Sequence, residues 1–93
     1  MKLNDARKQA IRRQTKIGFR LSGGAECWIE RDGITRVPSL KSPPGFNLEE
    51  EFAGAQEFRL AEAQREGSRM VTRAELEQWC SAVAMEAEHE EEH

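Results

Sequence analysis

Residues 89–93 read His89-Glu90-Glu91-Glu92-His93, the spacing H-E-x-x-H. On a helix that spacing puts two imidazoles on one face, with a glutamate placed as general base, as in zinc peptidases. A third ligand would have to come from a carboxylate or from Cys27 or Cys80. A segment this acidic cannot pack into the dry cleft that a zinc-activated water needs. The expectation is therefore a solvated, frayed acidic tip over 88–93, with no assigned metal site and no cofactor, and with at most loose pick-up of a divalent ion left open. Both histidines lie in that tip, so no Ser–His or Cys–His nucleophile pair is foreseen. Gly23-Gly24 lacks the strand–loop–helix setting and the Lys-Ser/Thr of a phosphate loop. No catalytic residue is assigned, and the chain is read as non-enzymatic.

Basic residues are the other group able to do chemistry. Arg7, Lys8, Arg12, Arg13 and Lys16 fall on one short stretch, followed by Arg20, Arg31 and Arg36. These eight are the candidate partner-binding residues. Guanidinium groups among strand apolar residues are ingredients of a phosphate-tracking sheet. Lys16-Ile17-Gly18-Phe19-Arg20 nevertheless has one aromatic where an RNA-recognition strand carries several. Arg12-Arg13 ahead of a strand invites comparison with cyclic-dinucleotide-binding barrels. The Asp/Asn-x-Ser-x-x-Gly element of those barrels is not supplied by residues 32–36, and no family resemblance is claimed.

Charge is split along the chain. Residues 1–41 carry ten basic and four acidic groups, +6, and residues 42–93 carry four basic and thirteen acidic groups, -9, summing to the formal -3. Such a chain can offer its basic half to a partner, fold its halves together, or pair with a copy of itself. No apolar run approaches the ~18 residues of a membrane span. Asp5, Arg7 and Lys8 leave no room for the apolar centre of a signal peptide. Cys27 and Cys80 sit among apolar neighbours and read as buried thiols in a reducing cytoplasm.

The elements that must position these residues follow from periodicity. With 93 residues, one small domain over 1–87 is expected. Asn4 is placed to cap a weakly amphipathic basic helix over 5–15, lying on the surface with Leu3, Ala6, Ala10 and Ile17 as its thin apolar stripe. Alternation over 17–37, broken at Gly23-Gly24 and Asp32-Gly33, predicts a three-stranded antiparallel meander. If both turns have two residues, Phe19 pairs with Trp28, Leu21 with Glu26, Trp28 with Val37 and Glu30 with Thr35. Ile17, Phe19, Leu21, Trp28 and Val37 then face the core. Arg20, Arg31 and Arg36 share the other face with Cys27, Ile29 and Ile34. A bulge in either hairpin would exchange the faces of one strand.

Pro38 ends the third strand, and residues 38–46 form a loop. Asn47 with Glu50 opens a helix that could run from 48 to 66 and stop at Gly67, with a hairpin over 57–71 as the competing reading. Thr72 with Glu75 caps the last helix, which carries a stripe of Leu76, Trp79, Cys80, Val83 and Ala87.

The fold expected is α+β: a basic N-terminal helix, an antiparallel meander, and one or two C-terminal helices on one sheet face. The function expected is a small regulatory or accessory protein that binds another protein through charged faces. Inhibitors and adaptors of mobile elements share this build, by analogy of type. The alternative is a nucleic-acid backbone binder using the basic helix and the arginine face. No membrane or small-molecule partner is foreseen, and homo-oligomerisation stays open.

Overall fold

The computed structural model describes residues 1–37 and 45–81. The expectations for Val83, Ala87, the H-E-x-x-H tip and most of the 38–46 loop lie outside the described residues. Five strands form one antiparallel sheet: β1 (Lys16–Arg20), β2 (Glu26–Ile29), β3 (Thr35–Arg36), β4 (Glu57–Ala61) and β5 (Arg69–Thr72), in the order β3-β2-β1-β4-β5. Helices α1 (Leu3–Arg13) and α2 (Leu48–Gly54) are joined by α3, described over 73–81. The class is α+β, as expected, with two more strands than the meander.

Both N-terminal hairpins close through three residues rather than two. Leu21 N–H donates to Ala25 O at 2.7 Å, and Gly24 N–H donates to Leu21 O. Glu30 N–H donates to Ile34 O at 2.9 Å, and Gly33 N–H donates to Glu30 O. The third loop residue is glycine at positive φ in each case, Gly24 at 95° and Gly33 at 83°. This is the three-residue turn with a glycine bulge, whose left-handed position favours glycine. The extra residue slips each register by one. Phe19 opposes Cys27, Gly18 opposes Trp28, and Trp28 opposes Arg36.

The slip corrects the expected faces. Cys27 and Ile29 point inward and are fully buried, whereas Trp28 is turned to the other side. Val37, expected in the core, is 40% exposed. The inner rows are Cys27–Phe19–Phe58–Val71 and Thr35–Ile29–Ile17–Leu60.

On these rows sit Leu3, Ala6 and Ala10 of α1, Phe52 of α2, and Leu76 and Cys80 of α3, in one cluster. The first helix is thus a core helix and not a surface one. Its two buried alanines, each 0% exposed, let the backbone approach the sheet. It also starts earlier than expected. Lys2 is the N-cap, and Asp5 rather than Asn4 serves the N-terminus, accepting the Lys2 N–H at 3.0 Å.

The hairpin reading of 57–71 holds, and the long helix does not. Asn47 caps α2 through the Glu49 and Glu50 amides, but the helix ends at Gly54. Glu57-Phe58-Arg59-Leu60 then alternates as a strand, with Phe58 and Leu60 buried. Gly67, expected as a helix stop, has φ 74° within the β4–β5 connection. The last helix is capped as expected: Thr72 N–H donates to Glu75 Oε1 at 3.1 Å, and Glu75 N–H donates to Thr72 Oγ1 at 3.2 Å.

Two carboxylates accept amide and hydroxyl hydrogen bonds and should make stability fall in acid. Ser22 donates its amide and its hydroxyl to Glu51, both at 2.8 Å, tying the first turn to α2. These bonds, the amide first, hold the Glu51 carboxyl below its ordinary range. The Thr72 amide, then its hydroxyl, does the same for Glu75. A depressed native pKa means the unfolded chain binds more protons in that window. The contribution is therefore present above the ordinary carboxylate pKa and lost as pH falls through the native values. Urea midpoints should drop on acidification below about pH 4.5, and Glu51→Gln should flatten that fall.

Candidate functional site

Lys16, Arg20, Glu26, Trp28, Glu30 and Arg36 project from the sheet face opposite the core, where β4 and β5 add Arg59 and Met70. The middle row reads Arg36, Trp28, Gly18, Arg59, Met70 across all five strands. Among the described residues no helix covers this face. Gly18 makes its surface possible. A methyl group in place of its hydrogen would lie 2.9 Å from three carbons of the Trp28 indole, so the ring rests on bare backbone. The same gap lets Arg59 Nε on β4 cross β1 to Glu26 Oε1 on β2, at 3.4 Å. Gly18→Val should push Trp28 off the sheet, with a red-shifted Trp28 emission in a Trp79→Phe background and a cost of about 1–3 kcal/mol.

The charges here are mutually engaged. Glu30 bridges Lys16 (3.2 Å) and Arg36 (3.3 Å), and Lys16 Nζ lies 5.5 Å from the Trp28 ring centroid. Arg20 opposes Glu26 in register yet makes no ion pair among the described residues, Glu26 being turned to Arg59.

A second surface forms where α1 meets the β2–β3 hairpin. Arg7 Nε donates to Thr35 Oγ1 at 3.0 Å, fastening helix to strand. Ile11 packs on Gly33, where a Cβ would meet its Cδ1 at 2.7 Å. Arg31 Nε donates to Gln14 O at 2.9 Å, satisfying a carbonyl at the helix end. Gln14 itself adopts φ 51° and ψ 43°, reversing the chain into β1. The result is an open hollow lined by Ile11, Gln14, Lys16, Glu30, Arg31 and Arg36, with Asp32 at its rim. Lys8 and Arg12 stand exposed on the same helix. Ile11 is 49% and Ile34 61% exposed.

Of the eight basic residues singled out in the sequence, Lys16, Arg31 and Arg36 line this hollow, Arg7 is bonded to the hairpin beside it, and Lys8 and Arg12 lie on the exposed side of α1 within a turn of Ile11. Arg20 lies on the open sheet face. Arg13 turns to α3, its guanidinium carbon 5.6 Å from the Trp79 ring centroid. Arg7 and Arg31 are partly structural, since each holds the hairpin against α1. Sequence reasoning missed Trp28, Arg59 and Met70 as open-face residues. The signal was available: Glu26 and Glu30 share the parity of Trp28 on β2, and two glutamates do not line a core.

Cys27 and Cys80 are free and buried. Burial pushes both thiols up to about 11, helped at Cys80 by Asp5 and Glu77. Thiolate is the reactive form, so both thiols should react slowly near neutral pH. Labelling with iodoacetamide at pH 8 should be slow in buffer and fast in denaturing urea. Fast native labelling would contradict the burial.

Among the described residues no group of three or more His, Cys, Asp or Glu could hold a metal ion, and no helix is long and apolar enough to cross a membrane. Comparison with family models, with curated proteins and with solved structures finds no match.

Proposed function

We propose that this chain is a non-enzymatic binding protein that acts by contacting another protein through its charged faces. The observation that carries the reading is the combination at the α1–hairpin corner. Aliphatic side chains are left open to solvent, Ile34 at 61% and Ile11 at 49%, inside a frame of basic residues. Phosphate backbones offer nothing to an exposed isoleucine, whereas protein interfaces join an apolar centre to a polar rim. Affinity capture from the native host lysate, with the bound species identified, tests it. Protein retained by the wild type and released by Ile11→Asp/Ile34→Asp supports the reading. Recovery of nucleic acid alone overturns it.

A second reading has its own observation. Trp28 lies on the open sheet face beside Lys16, in the row that carries Arg36 and Arg59, which offers an aromatic platform to a single-stranded base. It predicts Trp28 quenching by labelled DNA or RNA at low salt, with a steep salt slope. The ion pairs of Lys16 and Arg36 with Glu30 and of Arg59 with Glu26 weigh against it, since each must be broken or shared before a phosphate is bound.

A further inference from the structure

We infer that the corner between α1 and the β2–β3 hairpin receives an acidic protein segment that carries an aliphatic anchor. The inference rests on the protein-binding reading and names the surface and its partner's chemistry. Charge complementarity decides the occupant. Lys16, Arg31 and Arg36 line the hollow with Glu30 and Asp32, Arg7 is bonded to the hairpin beside it, and Lys8 and Arg12 are exposed on α1 within a turn of Ile11.

Both carboxylates are engaged within the chain. Glu30 is shared by Lys16 and Arg36. Asp32 Oδ1 accepts the Ile34 amide at 2.9 Å and so serves the turn. Among the described residues Lys8, Arg12 and Arg31 have no carboxylate within ion-pair distance. The Arg31 guanidinium is already oriented by Gln14 O, so it is presented rather than mobile.

Shape and apolar content narrow the choice further. The hollow is shallow and its floor is partly Ile11, held against Gly33. A free anion would leave Ile11 and Ile34 in water. A peptide with Asp or Glu on both sides of a Leu, Ile or Val covers them and meets the rim cations at once.

The test is selection of binders from a displayed library of random dodecapeptides on the full chain, followed by titration of selected peptides on variants. Lys8 and Arg12 are exposed, so Lys8→Glu/Arg12→Glu leaves the core intact, and the circular-dichroism melt checks this. The expected result is enrichment of Asp and Glu around an aliphatic residue. Affinity should then fall about tenfold or more in the charge-reversed variant and weaken with salt. Peptides without acids, peptides unaffected by Lys8→Glu/Arg12→Glu, or a library that yields no binder would overturn the inference. Peptides lost only with Trp28→Ala would move the site to the open sheet face and leave the protein-binding reading standing. A labelled oligonucleotide bound by the wild type and lost with Lys8→Glu/Arg12→Glu would overturn that reading too.

Discussion

Replacing Phe52 with alanine should remove about 3–5 kcal/mol of unfolding free energy. Phe52 is the one buried residue of α2, at 0% exposure. Its ring meets Phe19 edge-on at 5.2 Å and Phe58 at 5.5 Å between centroids. Phe19 and Phe58 are cross-strand neighbours on β1 and β4, so one helical side chain closes a three-ring cluster over the middle of the sheet. Each edge-to-face pair adds roughly 0.5–1.5 kcal/mol beyond area burial. A helix of seven residues has almost no stability of its own, so without its anchor α2 detaches instead of relaxing into the cavity. A domain of this size holds on the order of 5–10 kcal/mol in all. The variant should therefore be largely unfolded at 37 °C, read as loss of the cooperative urea transition. A loss below about 1.5 kcal/mol would place Phe52 outside a packed core.

Arg73→Met should cost about 2–4 kcal/mol, which is unusual for a half-buried arginine. Its guanidinium works as a fork on the end of α2. Nε and Nη2 donate to Ala55 O at 2.9 and 2.7 Å, and Nη2 also donates to Phe52 O. Among the described residues Phe52 O otherwise receives only the Ala55 N–H, at 3.3 Å, and the partial negative charge of carbonyls at a helix C-terminus favours a cation there. The same group lies 5.5 Å from the Phe52 and 5.1 Å from the Phe58 ring centroid. Its own amide donates to Gln56 O at 3.1 Å. One residue thus joins α2, β4 and the start of α3. Arg73→Lys should recover less than half of the loss, because an ammonium cannot span two carbonyls and two rings in one plane. Full rescue by lysine would show that charge alone matters.

These two residues mark where the sequence was legible and where it was not. The caps at Asn47 and Thr72, the buried thiols and the strand alternation over 57–61 are local signals that carry through, whereas the cap expected at Asn4 falls at Lys2 instead. Arg73 gave no such signal. Its role depends on α2 ending at Gly54 and on β5 delivering it beneath that end, which is tertiary information. The hairpins failed for a different reason. Ser22-Gly23-Gly24 and Arg31-Asp32-Gly33 each suit a two-residue or a three-residue loop, and the choice inverts every residue of β2. The inverted parity put Trp28 in the core on paper and left the sheet with no aromatic outside. The tie could be broken only by weighing Glu26 and Glu30 against the single large ring between them. The basic cluster was visible as residues but not as a place. Arg7, Ile11 and Arg31 become one corner only because the second hairpin folds back onto α1.

The orientation of Trp28 underlies both the hairpin register and the exposure of that corner, and nuclear Overhauser contacts of its indole protons test it most directly. The indole should show contacts to the Gly18 α-protons, which should be ring-current shifted upfield, and to the Lys16 side chain. Contacts from the Trp28 indole to the Phe52 or Leu76 side chains, with Gly18 unshifted, would contradict the register and the surfaces drawn from it.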